Sequence, residues 1–372
     1  MEELTAEPLY IKLSKALQDQ IVDGTLQPGE KLSSERNLQE TLEVSRATVR
    51  EAINALVQSG FLHSVPGSGT YVLKRQTFTQ IRGTIGLIFP SPSLHSSYPD
   101  LAATFNMQIR KSGYSLVMAL HNEDRQMLNQ VVYELLAQNV KALAIMVPRT
   151  FEPDETEAEI KRREIPLIYL GRKRIHHGVD CVATDNHQIG YMATRHLLEL
   201  GHKRIVHFGY LDYSTGQDRA SGYRQAMEEA QLPPRVIVPQ PPSDEPNLPV
   251  LNEYSVAVGY QAALPVWKNN SPDRPTAAFC FWDLEALGVY TAVRELGLRV
   301  PEDVSIVSVD DHHAIRHIDV PITTFSLPSE EIGRLGAEIL LRRLAGDNSP
   351  PQCHLLPARF IRRRSTAPPG QL

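Results

Sequence analysis

The chain predicts an α+β winged helix-turn-helix followed by an α/β region of two doubly wound lobes. Three observations carry that expectation. Residues 28–72 read as helix, turn, helix and hairpin. From Thr84 onward, apolar runs of strand length alternate with helix-periodic stretches, the pattern of parallel strands covered by helices. With 372 residues, the chain is also too long for one compact core.

The first helix is expected from Leu9 to Asp23: Pro8 suits its opening turn, and Gly24 ends it. Leu9, Leu13, Leu17 and Ile21 recur at i+4 on one face. Ser34 then caps a short helix, with Glu35 in its first turn and Leu38 and Leu42 as apolar anchors. Glu43 and Val44 make a tight turn. Ser45 caps the next helix, whose Val49, Ala52, Ile53 and Leu56 fall at i, i+3, i+4 and i+7 and bury one face. That spacing groups Arg46, Ala47, Thr48 and Arg50 near the N-terminal end, where a recognition helix meets base edges and phosphates. Phe61 to Val65 and Thr70 to Leu73 flank Pro66-Gly67-Ser68-Gly69, a hairpin signal whose glycines let backbone approach a groove closely.

The stretch PGEKLSSERNLQETLEVSRATVREAINALVQSGF resembles the DNA-binding domain of the GntR family of bacterial transcription regulators. The resemblance implies contacts with double-stranded operator DNA from Arg36, Ser45, Arg46, Thr48, Arg50 and Gly67. Two positions depart from the family pattern. Ser33 stands where the family usually has proline, and Pro66 where a histidine or glycine often precedes the wing glycine. Taken alone, Arg46 and Arg50 are equally what a solvated helix face carries. Their register with a capped helix and a glycine wing favours the groove-facing role.

In the second region TIGLIFP at 84–90 is a continuous apolar run, typical of a strand buried on both faces. SLVMAL (115–120), ALAIMV (142–147), PLIYL (166–170), RIVHF (204–208), RVIVP (235–239), AAFCF (277–281) and VSIVSV (304–309) follow as strands. Capped helical stretches, such as Asp185 to Leu200 and Asp283 to Leu296, lie between them. Pro233 to Pro249 is expected as an exposed excursion. The expected organisation is therefore a DNA-binding domain at 1–75, a linker at 76–83 and an effector-binding domain at 84–372.

TIGLIFP, ATDNHQIGYMATRHLLELGHKRIVHFG, DRASGYRQAM, FWDLEALGVYTAVRELGLRVPEDVSIVSVDD, PITTFSLPSEEIGRLGAEILLRRL and LLPARFIRRRST are similar to the effector domain of LacI/GalR-type repressors. That likeness spans residues 84–366 and implies a two-lobe α/β periplasmic-binding-protein-like domain. A GntR-like reader joined to a LacI-like sensor is the arrangement of the arabinose-repressor type. It implies a homodimer on a palindromic operator that lets go when a sugar enters the cleft.

In doubly wound lobes, ligands sit beyond the carboxyl ends of the strands. The candidates there are Tyr98, Arg219, Trp282 and Asp310. The resemblance puts Arg219 where the family keeps a sugar-contacting arginine, and Asp310 at the first of its paired aspartates. Trp282 replaces the family's usual asparagine by a stacking surface, and Gly171 stands where some relatives carry a polar ligand. An effector other than an ordinary pentose or hexose is therefore expected. Structural roles stay open for three of them: a turn or cap for Asp310, an internal ion pair for Arg219, packing at the cleft mouth for Trp282.

Bulk features exclude other classes. No apolar run approaches about 18 residues, so no membrane helix is expected, and MEELTAEPLY lacks a basic-then-apolar secretory pattern. Cys181, Cys280 and Cys353 are scattered, which fits a reducing cytoplasm and neither a disulfide framework nor zinc. His176-His177 and His312-His313 are adjacent pairs expected to point to different sides, without a metal. No GxSxG, P-loop or HExxH signature occurs, so neither catalysis nor a cofactor is expected. Arg362-Arg363-Arg364 is expected as a solvated strand end. A net charge of −5 means that DNA must be held by a local cluster and by dimerisation, not by the global field. The expected function is a cytoplasmic, sequence-specific transcription regulator of repressor type with a carbohydrate effector. The alternative is a cytoplasmic sugar-binding protein or sugar-handling enzyme whose N-terminal domain serves only protein interaction.

Overall fold

The computed structural model describes residues 8–73, 81–91, 98–148, 155–173, 178–212, 214–240, 252–268, 271 and 273–370. The chain divides into two compact units, Met1–Gln80 and Ile81–Leu372. Most of the expected linker, and His176-His177, lie outside the described residues.

The first unit consists of α1 (Leu9–Val22), α2 (Glu35–Leu42), α3 (Arg46–Gln58) and an antiparallel hairpin of β1 (Leu62–Val65) and β2 (Gly69–Val72). Both expected serine caps form. The Ser34 hydroxyl accepts from the Asn37 N–H at 3.2 Å, and that of Ser45 from the Thr48 N–H at 3.1 Å. Val49, Ala52, Ile53 and Leu56 are buried with Leu13, Leu17, Leu32, Phe61, Leu62 and Val72 in one core. Leu9 and Leu42 are corrections, since both are exposed. Leu9 lies at the open end of α1. At Glu43 the backbone turns left-handed, φ 51°, and Val44 packs on the core in place of Leu42.

The second unit begins with β3 (Thr84–Phe89), α4 (Tyr98–Lys111), β4 (Ser115–Leu120), α5 (Arg125–Ala137), β5 (Ala142–Ile145), α6 (Glu155–Arg162), β6 (Leu167–Gly171) and β7 (Asp180–Thr184). The chain then crosses into a second lobe of α7 (Asn186–Glu199), β8 (Ile205–Phe208), α8 (Ser214–Glu229), β9 (Arg235–Ile237), α9 (Asn252–Trp267), β10 (Ala277–Cys280), α10 (Asp283–Glu295) and β11 (Ser305–Val307). After β12 (Thr324–Ser326) it returns through α11 (Ser329–Leu344) and β13 (Cys353–Leu356) to the first lobe. It crosses a third time at β14 (Arg359–Ile361). The lobe sheets run β13-β7-β6-β5-β3-β4 and β11-β10-β8-β9, parallel throughout, while β12 and β14 pair antiparallel at the crossing. Hydrophobic cores cover both faces of each sheet.

Every strand expected from the apolar runs forms. β7, β12 and β13 were not expected, and β14 only as the strand that ends at Arg362. They are short, polar-interrupted or defined by pairing across the crossing. The excursion at 233–249 begins later than expected, because Arg235–Ile237 pairs with β8; residues 241–251 lie outside the described set. Asp283 is no cap: α10 starts after Trp282, and Asp283 is buried in its first turn. His312 and His313 do not diverge, their ring centroids lying 4.2 Å apart. Arg363 is no solvated strand end, for it pairs with Asp311 and donates to the Ile322 carbonyl at 2.9 Å.

Two glycines set the α7–α8 crossing. A Cβ on Gly190 would lie 2.0 Å from the Arg219 carbonyl oxygen, and one on Gly222 2.0 Å from that of His187. Gly259 and Gly288 do the same for α9 and α10 against Glu285 and Val256. These close approaches let the paired helices α7–α8 and α9–α10 cross backbone to backbone.

Candidate DNA-reading face and effector cleft

In the first unit the N-terminal turns of α2 and α3 bring Arg36, Ser45, Arg46, Thr48 and Arg50 to the surface. Arg46 and Arg50 are 72% and 69% exposed, not folded back on the protein. Ser45 and Thr48 are tied together by their hydroxyls at 2.8 Å. Arg36 is paired through Nε to Glu40 at 2.9 Å. Gly67 stands at the hairpin tip with φ 73° and open space where a Cβ would be, so its backbone can be approached closely. Ser68 and Tyr71 brace that tip through their hydroxyls at 2.6 Å.

In the second unit Tyr98, Arg219, Trp282 and Asp310 all line one cavity of about 60 Å³. Each follows a strand: β3, β8, β10 and β11 respectively. Arg219 is buried on α8. Its Nε donates to Asn186 Oδ1 at 2.9 Å, its Nη1 donates to the Phe281 carbonyl, and its guanidinium lies 4.4 Å from the Phe281 ring centre. Trp282 is buried beside Phe281 and Tyr210, with centroids at 5.4 and 6.0 Å.

Asp310 has φ 111° and Asp311 φ 52°, and this left-handed pair splits two carboxylates between two tasks. Asp310 lines the cavity, while Asp311 pairs with Arg316 at 2.9 Å and with Arg363. Beneath them the buried Asp283 carboxylate accepts from Thr324 Oγ1 at 2.7 Å, from the His312 N–H at 2.6 Å and from Ser308. Burial raises its pKa well above the ordinary carboxylate value, and Asp310 adds to the shift. Glu285 accepts from the Phe281 N–H at 2.8 Å, and burial pushes its carboxyl up to about 8.

Several lining residues were not expected. Arg172 follows Gly171 directly and pairs with Glu123 at 2.5 Å; applying the strand-end rule one residue further would have found it. Thr184 and Asn186 depend on β7, and Ser329 and Ile332 on the return through α11. The walls differ in chemistry. Leu101, Met146 and Ile332 give the first lobe's wall an apolar stretch beside Arg172, whereas Arg219, Asn186 and Asp310 give the second lobe hydrogen-bonding groups beside the Trp282 ring. Such a cavity suits a small ligand with a polar edge and an apolar face. A wider polar opening of about 460 Å³ adjoins it, sharing Asp310, Leu327 and Ser329. Among the described residues no group of three or more His, Cys, Asp or Glu is placed to hold a metal, and no helix is long and apolar enough to cross a membrane.

A winged helix joined to a two-lobe cleft domain defines a DNA-binding regulator that responds to a small molecule. Comparisons place it further. Residues 9–72 match the bacterial regulatory proteins of the gntR family, and residues 194–366 match the periplasmic binding protein-like domain. The arabinose metabolism transcriptional repressor of Geobacillus stearothermophilus is 28% identical over 92% of this chain and 93% of its own length. The HTH-type transcriptional repressor PurR of Escherichia coli is 31% identical over 76% of this chain and 80% of its own. A LacI family transcriptional regulator from Enterococcus faecium, solved with bound ribose, superposes with TM-score 0.63 at 25% identity, covering 77% of this chain and 99% of that one. The chain joins a DNA-binding domain of the gntR family to a LacI-like periplasmic binding protein-like domain and belongs with the transcriptional repressors it matches. These relatives are regulators and not enzymes.

Proposed function

We propose that this regulator is a cytoplasmic repressor, acting as a homodimer on a palindromic operator, and that a carbohydrate in the cleft changes its operator affinity. The observation that carries the reading is the exposed Arg46–Arg50 pair at the start of a capped helix, in a chain whose second unit closes a polar-and-aromatic cavity. Arg46 and Arg50 read base edges; Arg36, Ser45, Thr48 and the Gly67 backbone hold the phosphates that set register. In the cleft Arg219 and Asp310 grip hydroxyls while Trp282 and Tyr98 pack on the ligand's C–H face. A relative named for arabinose metabolism and a structural neighbour solved with bound ribose support the carbohydrate reading. Self-association is supported by the edge strand β4, which exposes Met118 and Leu120 beside α4, where Met107 is exposed too.

The test is a gel-shift series on genomic fragments that the protein retains at low salt. Arg46→Ala and Arg50→Ala should each weaken binding by about 1–3 kcal/mol. Unchanged affinity in both would remove the assignment. For the cleft, a saccharide that raises the melting point of the wild type should fail to do so for Arg219→Ala.

A further inference from the structure

We propose that Glu35 is a positioning residue for DNA reading, hydrogen-bonding Arg46 at Nε and drawing the Nε side of Arg50 by charge, so that both guanidinium forks face outward. This rests on the DNA-reading assignment above. Glu35 is the first residue of α2, and its carboxylate straddles the two arginines on the opening turns of α3. Its Oε2 lies 3.3 Å from Arg46 Nε, and its Oε1 lies 3.8 Å from Arg50 Nε. The Glu35 side chain is 30% exposed, against 72% and 69% for its partners, so the carboxylate is the inner member and the cations the outer. Among the described residues neither arginine has another hydrogen-bond or ion-pair partner.

A guanidinium gripped at Nε keeps its two terminal nitrogens, the fork that binds guanine O6 and N7 together. Ordering that fork before DNA arrives lessens the side-chain entropy lost on docking. Charge points the same way. One carboxylate set between two cations leaves a single net positive charge, which tempers the sequence-independent pull of phosphates. Arg36, held at Nε by Glu40, repeats the arrangement on α2 itself. Ion pairs this exposed on the arginine side contribute little to folding, and what the Glu35 charge adds in the opening turn of α2 is lost equally in Glu35→Gln, which makes that variant the stability reference.

The experiment uses the full chain and the duplex that the wild type itself enriches from a random library. Affinity for that duplex and for a scrambled one of equal length is measured across salt for wild type, Glu35→Ala and Glu35→Gln. Glu35→Ala should lower the preferred-to-scrambled ratio about tenfold. It should also steepen the logarithmic salt dependence on the scrambled duplex by about one, with a melting temperature equal to that of Glu35→Gln. Glu35→Gln, which can still accept from one Nε, should recover part of the ratio but keep the steeper salt dependence. An unchanged ratio in Glu35→Ala overturns the proposal, as does a lost ratio accompanied by a melting temperature below that of Glu35→Gln. A wild type that enriches no duplex overturns the DNA-reading assignment itself, and this role with it.

Discussion

Glu285 shows how far one buried side chain can set the conditions under which the cleft is stable. Its folded pKa of about 8 lies above the ordinary 4.5, and burial is the main cause. The folded state therefore binds the proton more tightly than the unfolded one. The stability this contributes is full below pH 4.5 and is lost as pH rises towards 8. His207 works in the opposite sense: burial depresses it from 6.5 to about 3, so its contribution is lost as pH falls through that window. Glu285→Gln keeps an acceptor for the Phe281 N–H but has no proton to lose. Its stability relative to wild type should be flat below pH 4.5 and climb by at most about 1.4 kcal/mol per pH unit up to pH 8. Melting curves across that range check this, and a pH-independent difference would show that Glu285 is not the titrating group. At this scale the strand-end rule found Tyr98, Arg219, Trp282 and Asp310 as lining residues, because a doubly wound lobe puts the segments after its strands, helix starts included, at the cleft. Glu35 was legible only as an acidic residue in a helix's first turn. Its grip on Arg46 and Arg50 depends on how α2 and α3 cross.

Elements built on strong periodicity were readable, and those built on pairing were not. The buried stripe of α3 and the apolar runs of β3, β5 and β10 follow from spacing alone. β12 and β14 have three residues each and exist because the chain recrosses beside itself, which no local pattern records. The caps were also readable, and Ser45→Ala should cost about 1 kcal/mol of first-unit stability, measured by chemical denaturation. A loss no larger than that of an exposed serine elsewhere on the same unit would deny Ser45 its capping role. The α7–α8 contact gives a sharper prediction. Gly190→Ala drives a methyl into the Arg219 carbonyl at 2.0 Å, a backbone atom that cannot swing aside. The helices must part, at about 1–3 kcal/mol, and α8 carries Arg219 with it. Gly190→Ala should therefore lose effector-induced stabilisation although residue 190 lines no part of the cavity. Retained stabilisation, with only a lower melting point, would separate helix packing from ligand geometry.

At the scale of the whole molecule the two-domain plan was visible because its textures differ, a short helix-and-hairpin unit against a long alternation of strands and helices. The three crossings that make the second unit bilobed were not, since β7, β12 and β13 carry them. That bilobed unit makes control of DNA by a ligand a matter of linkage, and linkage is reciprocal: whatever factor the effector imposes on operator affinity, operator must impose on effector affinity. The chain supplies its own reporter. Of its two tryptophans, Trp282 lines the cavity, whereas Trp267 is buried and donates to the Pro275 carbonyl at 2.9 Å. Trp267→Phe thus leaves emission from Trp282 alone. Effector titrations followed by that emission, with and without saturating operator duplex, should give affinities differing by about five- to a hundredfold. Gel shifts with and without effector should return the same factor. A ligand that alters operator binding while its own affinity ignores operator breaks the cycle, and the cleft would then be acting through something other than a shift between two states of this chain.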